Sequence, residues 1–152
     1  MGIWSDILDA DVEADDALPT HVEALRFPKL LGWEPGRVWT HWPVDADFLT
    51  PMGTLFGGYL SALADHTMAL AVFTVLEDNE AISTTDLHTN FLRPVREGVI
   101  SIEARVVSRG RRTAYCEALF SDASGELLAR AGATQMILSR PGAAVALHPK
   151  EA

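Results

Sequence analysis

The chain has 152 residues, of which 48% are hydrophobic and 22% are charged, and its formal net charge is -9. This length is enough for one domain with a substantial core, and the composition excludes a disordered or fibrous protein. The acidic balance argues against nucleic-acid binding, which needs a basic face, and the single cysteine, Cys116, excludes an intrachain disulfide.

The N-terminal segment, residues 1–29, is acidic and shows little periodicity, so we expect a tail or a short helix there. Acidic residues precede the first basic one, which is the opposite of an export signal. Together with the lack of any possible intrachain disulfide, this favours a cytoplasmic protein. We predict one main domain over residues 30–140 and a loose C-terminal tail over residues 141–152.

The first clear elements are a strand and a long helix. Apolar and polar residues nearly alternate over Arg37–Val44, which predicts a strand. Pro51-Met52-Gly53 then breaks the chain before an apolar helix, Phe56–Leu76. That run approaches membrane-spanning length. Because Asp65 and His66 lie near its middle and amphipathic strands follow it, we expect no membrane insertion.

Four further strands are predicted after this helix, separated by turn residues: Ala81–Leu92, Val99–Ser108, Thr113–Ser121 and Glu126–Leu138. A helix that is apolar on all sides must be surrounded. The sequence therefore predicts an α+β fold in which a curved antiparallel sheet of about five or six strands wraps one long central helix. The exposed edge of such a sheet favours pairing with a second subunit.

Asp65 is the only acidic residue in the apolar run from Phe56 to Leu76. Burying a lone carboxylate is costly unless the group is paired or hydrogen-bonded. At the start of the same helix, Gly57 and Gly58 leave backbone N–H groups unobstructed at the positive end of the helix dipole, where an oxyanion can bind. One helix therefore carries a candidate oxyanion site and a candidate general base or nucleophile. The alternative is a structural carboxylate that caps a neighbouring backbone segment or bonds Thr67.

The spacing of these two groups limits how they can act together. Gly57 and Asp65 are eight residues apart, which corresponds to about 12 Å along a helix axis. They cannot both touch one small reacting centre from the same helix. Two antiparallel copies of the helix across a two-fold axis would bring each Gly57 towards the partner copy's carboxylate. A catalytic role for this helix therefore predicts at least a dimer with composite sites.

Other residue clusters leave more than one interpretation open. Arg109, Arg111 and Arg112 form either an ordinary solvated turn or a phosphate-binding cluster, because guanidinium groups bind phosphate in bidentate fashion. No group of His, Cys and carboxylates in the sequence has the spacing of a metal site, and no serine lies in a nucleophile elbow. We therefore expect no metal and no cofactor.

The order of these elements and four sequence blocks resemble the hotdog-fold acyl-CoA thioesterases of the phenylacetic-acid-degradation (PaaI-like) family. The blocks are GTLFGGYLSALAD (Gly53–Asp65), NFLRPVREG (Asn90–Gly98), VVSRGRRT (Val106–Thr113) and GELLARAGAT (Gly125–Thr134). The resemblance covers about Leu30 to Leu138. It implies hydrolysis of acyl-CoA thioesters without metal or organic cofactor, by homodimers that usually pair into tetramers.

The resemblance also implies roles for individual residues. Asp65 matches the carboxylate that activates water or attacks the thioester, and Gly57 matches the glycine whose N–H polarises the carbonyl. Thr84, or its neighbour Thr85, matches the hydroxyl residue that helps to position the attacking water. The segments that match the lining of the coenzyme A channel comprise Phe91, Leu92, Arg93 and Pro94, and then Ser108, Arg109, Gly110, Arg111 and Arg112.

The chain departs from the family pattern at two positions near the helix start. Phe56 precedes the Gly57-Gly58 pair, where the family usually has His, and makes the entrance to the site more apolar. Thr50 stands where the family usually has an amide residue, and its hydroxyl can still donate one hydrogen bond. These departures motivate the alternative function, a hotdog protein that binds acyl-CoA or a related hydrophobic acyl ligand without hydrolysing it.

Overall fold

A computed structural model of the protein describes residues 2–13 and 19–140. Its elements follow one another as α1 (Ile3–Glu13), α2 (Thr20–Ala24), β1 (Gly32–Glu34), β2 (Arg37–Pro43), α3 (Gly57–Phe73), β3 (Glu80–Phe91), β4 (Val99–Arg109), β5 (Thr113–Ser121) and β6 (Leu127–Ser139). A 3-10 turn at Ala46–Phe48 lies between β2 and α3. The predicted C-terminal tail, residues 141–152, lies outside the described residues.

The strands form one antiparallel sheet in the order β1-β2-β4-β5-β6-β3. This confirms the predicted α+β fold with a central helix, and the sheet has six strands. β1 was not predicted, because three residues are too few to show an alternating pattern. Small side chains make the inner face of the sheet shallow, so that a helix can approach it closely; buried alanines on that face include Ala104, Ala114, Ala118, Ala129, Ala131 and Ala133.

The central helix α3 packs across the inner face and contacts β2, β3, β4, β5 and β6. Leu63, Met68 and Val72 have no exposed surface at all. Each large apolar side chain buried in this way contributes roughly 1.5–3 kcal/mol. The helix therefore forms the centre of the core, as its sequence predicts. Within residues 2–13 and 19–140, none of the helices combines the length and apolar character that a membrane crossing requires.

The described part of the acidic N-terminal segment is joined to the core through α1. Trp4 and Leu8, which lie on one side of α1, are buried, and Leu8 has no exposed surface. The carboxylates of α1 are used locally, since Asp9 accepts a hydrogen bond from Trp33 Nε1 at 3.0 Å and Asp11 accepts one from the Leu30 amide at 2.7 Å. These contacts join α1 to β1 and to the residue segment that leads into it.

β3 is one of the two edge strands of the sheet, and it contains a β-bulge. Thr84 pairs with Gln135 of β6, and Asp86 pairs with Thr134, so that Thr85 is the extra residue between them. Because successive side chains of a strand alternate between faces, one extra residue changes which side chains face the helix. Thr84 before the bulge and Leu87, Thr89 and Phe91 after it therefore lie on the same inner face, on the side of α3.

Candidate active site

Asp65 lies at the midpoint of α3 and is partly exposed at the side of the helix that faces the edge strand β3. Its Oδ1 atom accepts a hydrogen bond of 2.9 Å from the hydroxyl of Thr84. Thr85 is used differently, because its hydroxyl donates to the backbone carbonyl of Thr134 at 3.1 Å. The bulge thus separates the two threonines, and Thr84 is the one in contact with the carboxylate.

One face of α3 follows β3 along its length through residues four positions apart. Gly57 lies against the ring of Phe91, and a Cβ atom added at Gly57 would come within 3.0 Å of that ring. One turn later, the hydroxyl of Ser61 is 3.0 Å from the hydroxyl of Thr89. Asp65 follows after another turn. The candidate oxyanion residue and the candidate base therefore share one helix face, two turns apart.

The start of α3 combines backbone amides with exposed aromatic rings. Phe56 is the N-cap residue, and among the described residues no side chain caps this helix start by a hydrogen bond. The ring of Phe56 lies beside Gly58, where an added Cβ would come within 2.5 Å of it. More than half of the surface of Phe56 and of Phe91 is exposed. The first amides of the helix are thus flanked by two aromatic side chains.

Thr50 lies in the turn that precedes α3, and its polar groups are used within that turn. Its hydroxyl is 3.1 Å from the hydroxyl of Thr54, and its amide donates to the Thr54 carbonyl at 2.7 Å. The amide of Gly53, which has a φ of 72°, donates to the Thr50 carbonyl at 2.8 Å. To donate a hydrogen bond to a ligand, the Thr50 hydroxyl would have to give up its contact with Thr54.

Beneath Asp65, the inner face of the sheet carries two buried polar side chains. Burial, together with the nearby Asp65 carboxylate, raises the pKa of the Cys116 thiol to about 12, so that the thiol stays protonated and is a poor nucleophile. Gln135 of β6 has no exposed surface, and neither of its amide atoms has a hydrogen-bond partner. Gln135 was missed in the sequence, where one polar residue in an apolar strand gives little signal.

His66, which follows Asp65 in sequence, lies elsewhere around α3. Its ring stacks on Phe27 with 4.4 Å between the ring centroids, and its Nε2 atom is buried without a hydrogen-bond partner. Burial, with a smaller effect from the charge of His21, lowers the pKa of His66 to about 4. The ring is therefore neutral at physiological pH and belongs to the packing between α3 and the N-terminal segment.

The predicted coenzyme A segments lie at opposite ends of the sheet in one protomer. Arg109 forms an ion pair with Glu80, the first residue of β3, whereas Phe91 is its last residue. These two ends are about 35 Å apart at the usual rise per strand residue. Arg111 and Arg112 are exposed and form no ion pair with the described residues.

The remaining residues of these segments are close to the two ends of the sheet. Residues 108–113 span the turn between β4 and β5, which we call the arginine hairpin because it contains Arg109, Arg111 and Arg112. Ser108 and Gly110 belong to it, and the Gly110 amide closes the turn by donating to the Thr113 carbonyl at 2.8 Å. Leu92 is about half exposed and follows Phe91. Arg93 forms an ion pair with Glu126 at 2.9 Å, and Pro94 lines a surface groove of about 470 Å³. No cluster of metal-ligating side chains occurs among residues 2–13 and 19–140.

Comparisons with known proteins show which sequences this chain is similar to. Residues 52–129 match the sequence model of the thioesterase superfamily. A Saccharolobus solfataricus protein named "putative esterase" is 34% identical over 110 residues, which are 72% of this chain and 78% of that protein. The "proofreading thioesterase EntH" of Klebsiella pneumoniae is 32% identical over 92 residues, which are 60% of this chain and 67% of that protein.

Solved structures show the same fold. A phenylacetic acid degradation-related protein from Ralstonia eutropha superposes with a TM-score of 0.75 at 30% sequence identity, covering 88% of this chain and 98% of that one. The S. sahachiroi protein AziG superposes with a TM-score of 0.76 at 28% identity, covering 81% and 99%. The predicted resemblance to PaaI-like hotdog proteins is thereby confirmed.

Proposed function

Because this chain belongs to the thioesterase superfamily, we propose that it hydrolyses acyl-CoA thioesters to a free acid and coenzyme A, at a composite site between two copies of the chain. The observation that carries this proposal is the hydrogen bond from Thr84 to Asp65 at the exposed edge of the sheet. A carboxylate that is held in place and open to solvent can accept a proton from water or attack a carbonyl. Both routes are open for Asp65.

The second part of the proposed site is the start of α3, where the Gly57 N–H would hold the oxygen of the thioester carbonyl. Backbone donors at a helix start stabilise the negative charge that develops on this oxygen during the reaction. Gly57 and Asp65 of one copy are about 12 Å apart along the helix. We therefore propose that Gly57 acts with Asp65 of a second copy, in a homodimer that can pair into a tetramer.

The edge strand β3 supports this assembly. Two β3 strands paired antiparallel about a two-fold axis would place the Glu80 end of one copy beside the Phe91 end of the other. The arginine hairpin of one copy would then lie near Gly57 of its partner. Arg111 and Arg112 would bind the phosphates of coenzyme A, while Phe56, Phe91 and the residues after them would line the path to the thioester.

We expect Asp65→Asn to lower kcat for acyl-CoA hydrolysis by on the order of 10²–10⁴-fold, because the amide can neither accept the proton nor attack. The measurement is the release of free thiol from a panel of acyl-CoAs of different chain length and aromatic content. Asp86→Asn is the matched control, since Asp86 is an exposed acid of β3, the strand that carries Thr84, and its carboxylate lies 3.8 Å from the His88 ring. Equal rates for wild type and Asp65→Asn would contradict the mechanism.

The second candidate function is acyl-CoA binding without hydrolysis. The hydroxyl of Thr50, which stands at the position of the family's amide donor, already contacts Thr54. Losing one donor of this kind can lower a rate by on the order of 10²–10³-fold. Tight binding of acyl-CoAs by the wild type, with no thiol released from any of them, would favour this function over hydrolysis.

A further inference from the structure

Gln135 is the one residue of the inner sheet face, within the described residues, whose amide is fully buried and has both polar atoms without a hydrogen-bond partner. Removing an amide from water without replacing its hydrogen bonds is unfavourable for folding. An apolar residue of similar size would fit the same position without this cost. A buried amide in this state therefore needs an explanation outside the stability of the protomer.

The strand register places Gln135 directly beside the candidate active site. Gln135 is the cross-strand partner of Thr84, and residues that are directly opposite in antiparallel strands have their side chains on the same face, about 5 Å apart at Cβ. Thr84 uses its hydroxyl hydrogen to bond Asp65. The Thr84 oxygen keeps lone pairs that can accept a hydrogen bond, and an amide N–H is a suitable donor.

We propose that Gln135 is a positioning residue of the candidate active site, whose amide donates to the Thr84 hydroxyl through one bridging water, while that hydroxyl donates to Asp65. The three side chains then form one chain of hydrogen bonds that runs from the buried sheet to the carboxylate. Bonds in such a chain strengthen one another, and the chain fixes the direction of the Thr84 hydroxyl. Gln135 acts through Thr84 and touches no substrate.

This inference rests on the proposed hydrolysis, and it predicts that replacing Gln135 has different effects on kcat and on the melting temperature. A structural amide stabilises the fold, so its removal lowers the melting temperature. A positioning amide that forms no direct hydrogen bond to the protein contributes little to that temperature, and its replacement by an apolar side chain of similar length leaves the melting temperature equal or higher. Its removal lowers kcat, because the Asp65 carboxylate is held less well, and leaves KM unchanged.

The test compares Gln135→Met, Thr84→Val and the double variant with wild type, in acyl-CoA hydrolysis and in thermal unfolding. We expect Gln135→Met to lower kcat about tenfold, which is the effect of one hydrogen bond of ordinary strength, at unchanged KM and with an equal or higher Tm. The double variant should be no slower than Thr84→Val alone, since Gln135 acts through Thr84. Ile137→Met, two positions along the same face of β6, is the matched control and should keep wild-type kcat.

Three outcomes would overturn the inference while leaving thioester hydrolysis intact. These are an unchanged kcat for Gln135→Met, a fall in kcat that is matched by a fall in Tm, and effects of the two substitutions on kcat that simply multiply. A wild type that hydrolyses no thioester would overturn the proposed function together with this inference. The wild-type assay therefore separates the two failures.

Discussion

At the scale of single residues, His66 shows how burial sets the charge of a side chain that follows Asp65 in sequence but points to a different side of α3. The ring packs flat against Phe27 in the contact between α3 and the N-terminal segment, and its pKa is lowered to about 4 because burial disfavours the charged form. In the unfolded chain the same side chain titrates near its ordinary value of 6.5. The unfolded state therefore binds more protons between these two values.

This difference predicts a loss of stability in acid. The contribution of neutral His66 is fully present above pH 6.5, and it is lost progressively as the pH falls towards 4. We expect wild type to lose about 1–2 kcal/mol of unfolding free energy from this group between pH 7 and pH 5. His66→Phe, which keeps a ring against Phe27 and cannot be protonated, should lose correspondingly less. Denaturant titrations at both pH values measure the difference, and parallel losses in the two proteins would contradict the assignment.

At the scale of elements, the bulge in β3 determines which residues form the site. If Thr85 occupied a regular position in the strand pairing, strict alternation from Thr84 would turn Asp86 and His88 towards α3 and would turn Phe91 away from Gly57. The contact between Phe91 and Gly57 and the bond between Thr84 and Asp65 coexist because Thr85 is bulged out of the pairing with β6. Sequence alternation predicts the strand, but the pattern is loose here and cannot indicate where the extra residue lies.

The sequence predicted the elements better than it predicted the site. The elements follow from local hydrophobic patterns, whereas the site depends on how the strands pair. Hydrophobic period alone is enough to predict β4 and β5, because each buries one regular set of side chains, and the length of the apolar run is enough to predict α3. The choice between Thr84 and Thr85 depends on the bulge, so both remained candidates. The position of Gln135 beside Thr84 depends on the pairing of β6 with β3, which local pattern does not encode.

A further prediction concerns hydrogen exchange at the outer edge of β3. It is twelve residues long, and as an edge strand it presents unpaired backbone groups along its length. If two copies pair through β3, the outward-facing amides of this strand should exchange slowly with deuterium in native protein. The other edge strand, β1, has three residues and serves as the internal control, with fast exchange expected. Fast exchange at the outward amides of β3 in protein at assay concentration would contradict the pairing.

At the scale of the whole molecule, the net charge of -9 opposes the approach of an anionic substrate such as acyl-CoA. Under the proposed function, the arginine hairpin is the local cluster of positive charge that binds this substrate. We expect the double variant Arg111→Gln, Arg112→Gln to raise KM about tenfold with little change in kcat, since each exposed ion pair contributes up to about 1 kcal/mol. The effect should shrink as salt is added, because salt screens exposed charges.

Steady-state kinetics at low and high ionic strength measure this effect. Arg105→Gln is the matched control, because Arg105 is an exposed arginine of β4 that is already bonded to Glu117 at 3.2 Å. It should leave KM near the wild-type value at both salt concentrations. An equal rise in KM for Arg105→Gln would assign the effect to the overall charge of the molecule and would remove the hairpin from the proposed phosphate site.

The two edges of the sheet are unlike each other, and this limits how far the sheet can grow. One edge is the long strand β3 and the other is the three-residue strand β1. When two molecules pair through their β3 strands, neither β3 remains as a free edge. The joined sheet then ends on both sides in a three-residue β1 strand. Such a border is too short to template the addition of another chain. If copies of the chain associate through β3 as proposed, strand pairing therefore stops at a finite particle instead of continuing into a fibril, even though each separate chain exposes a twelve-residue edge.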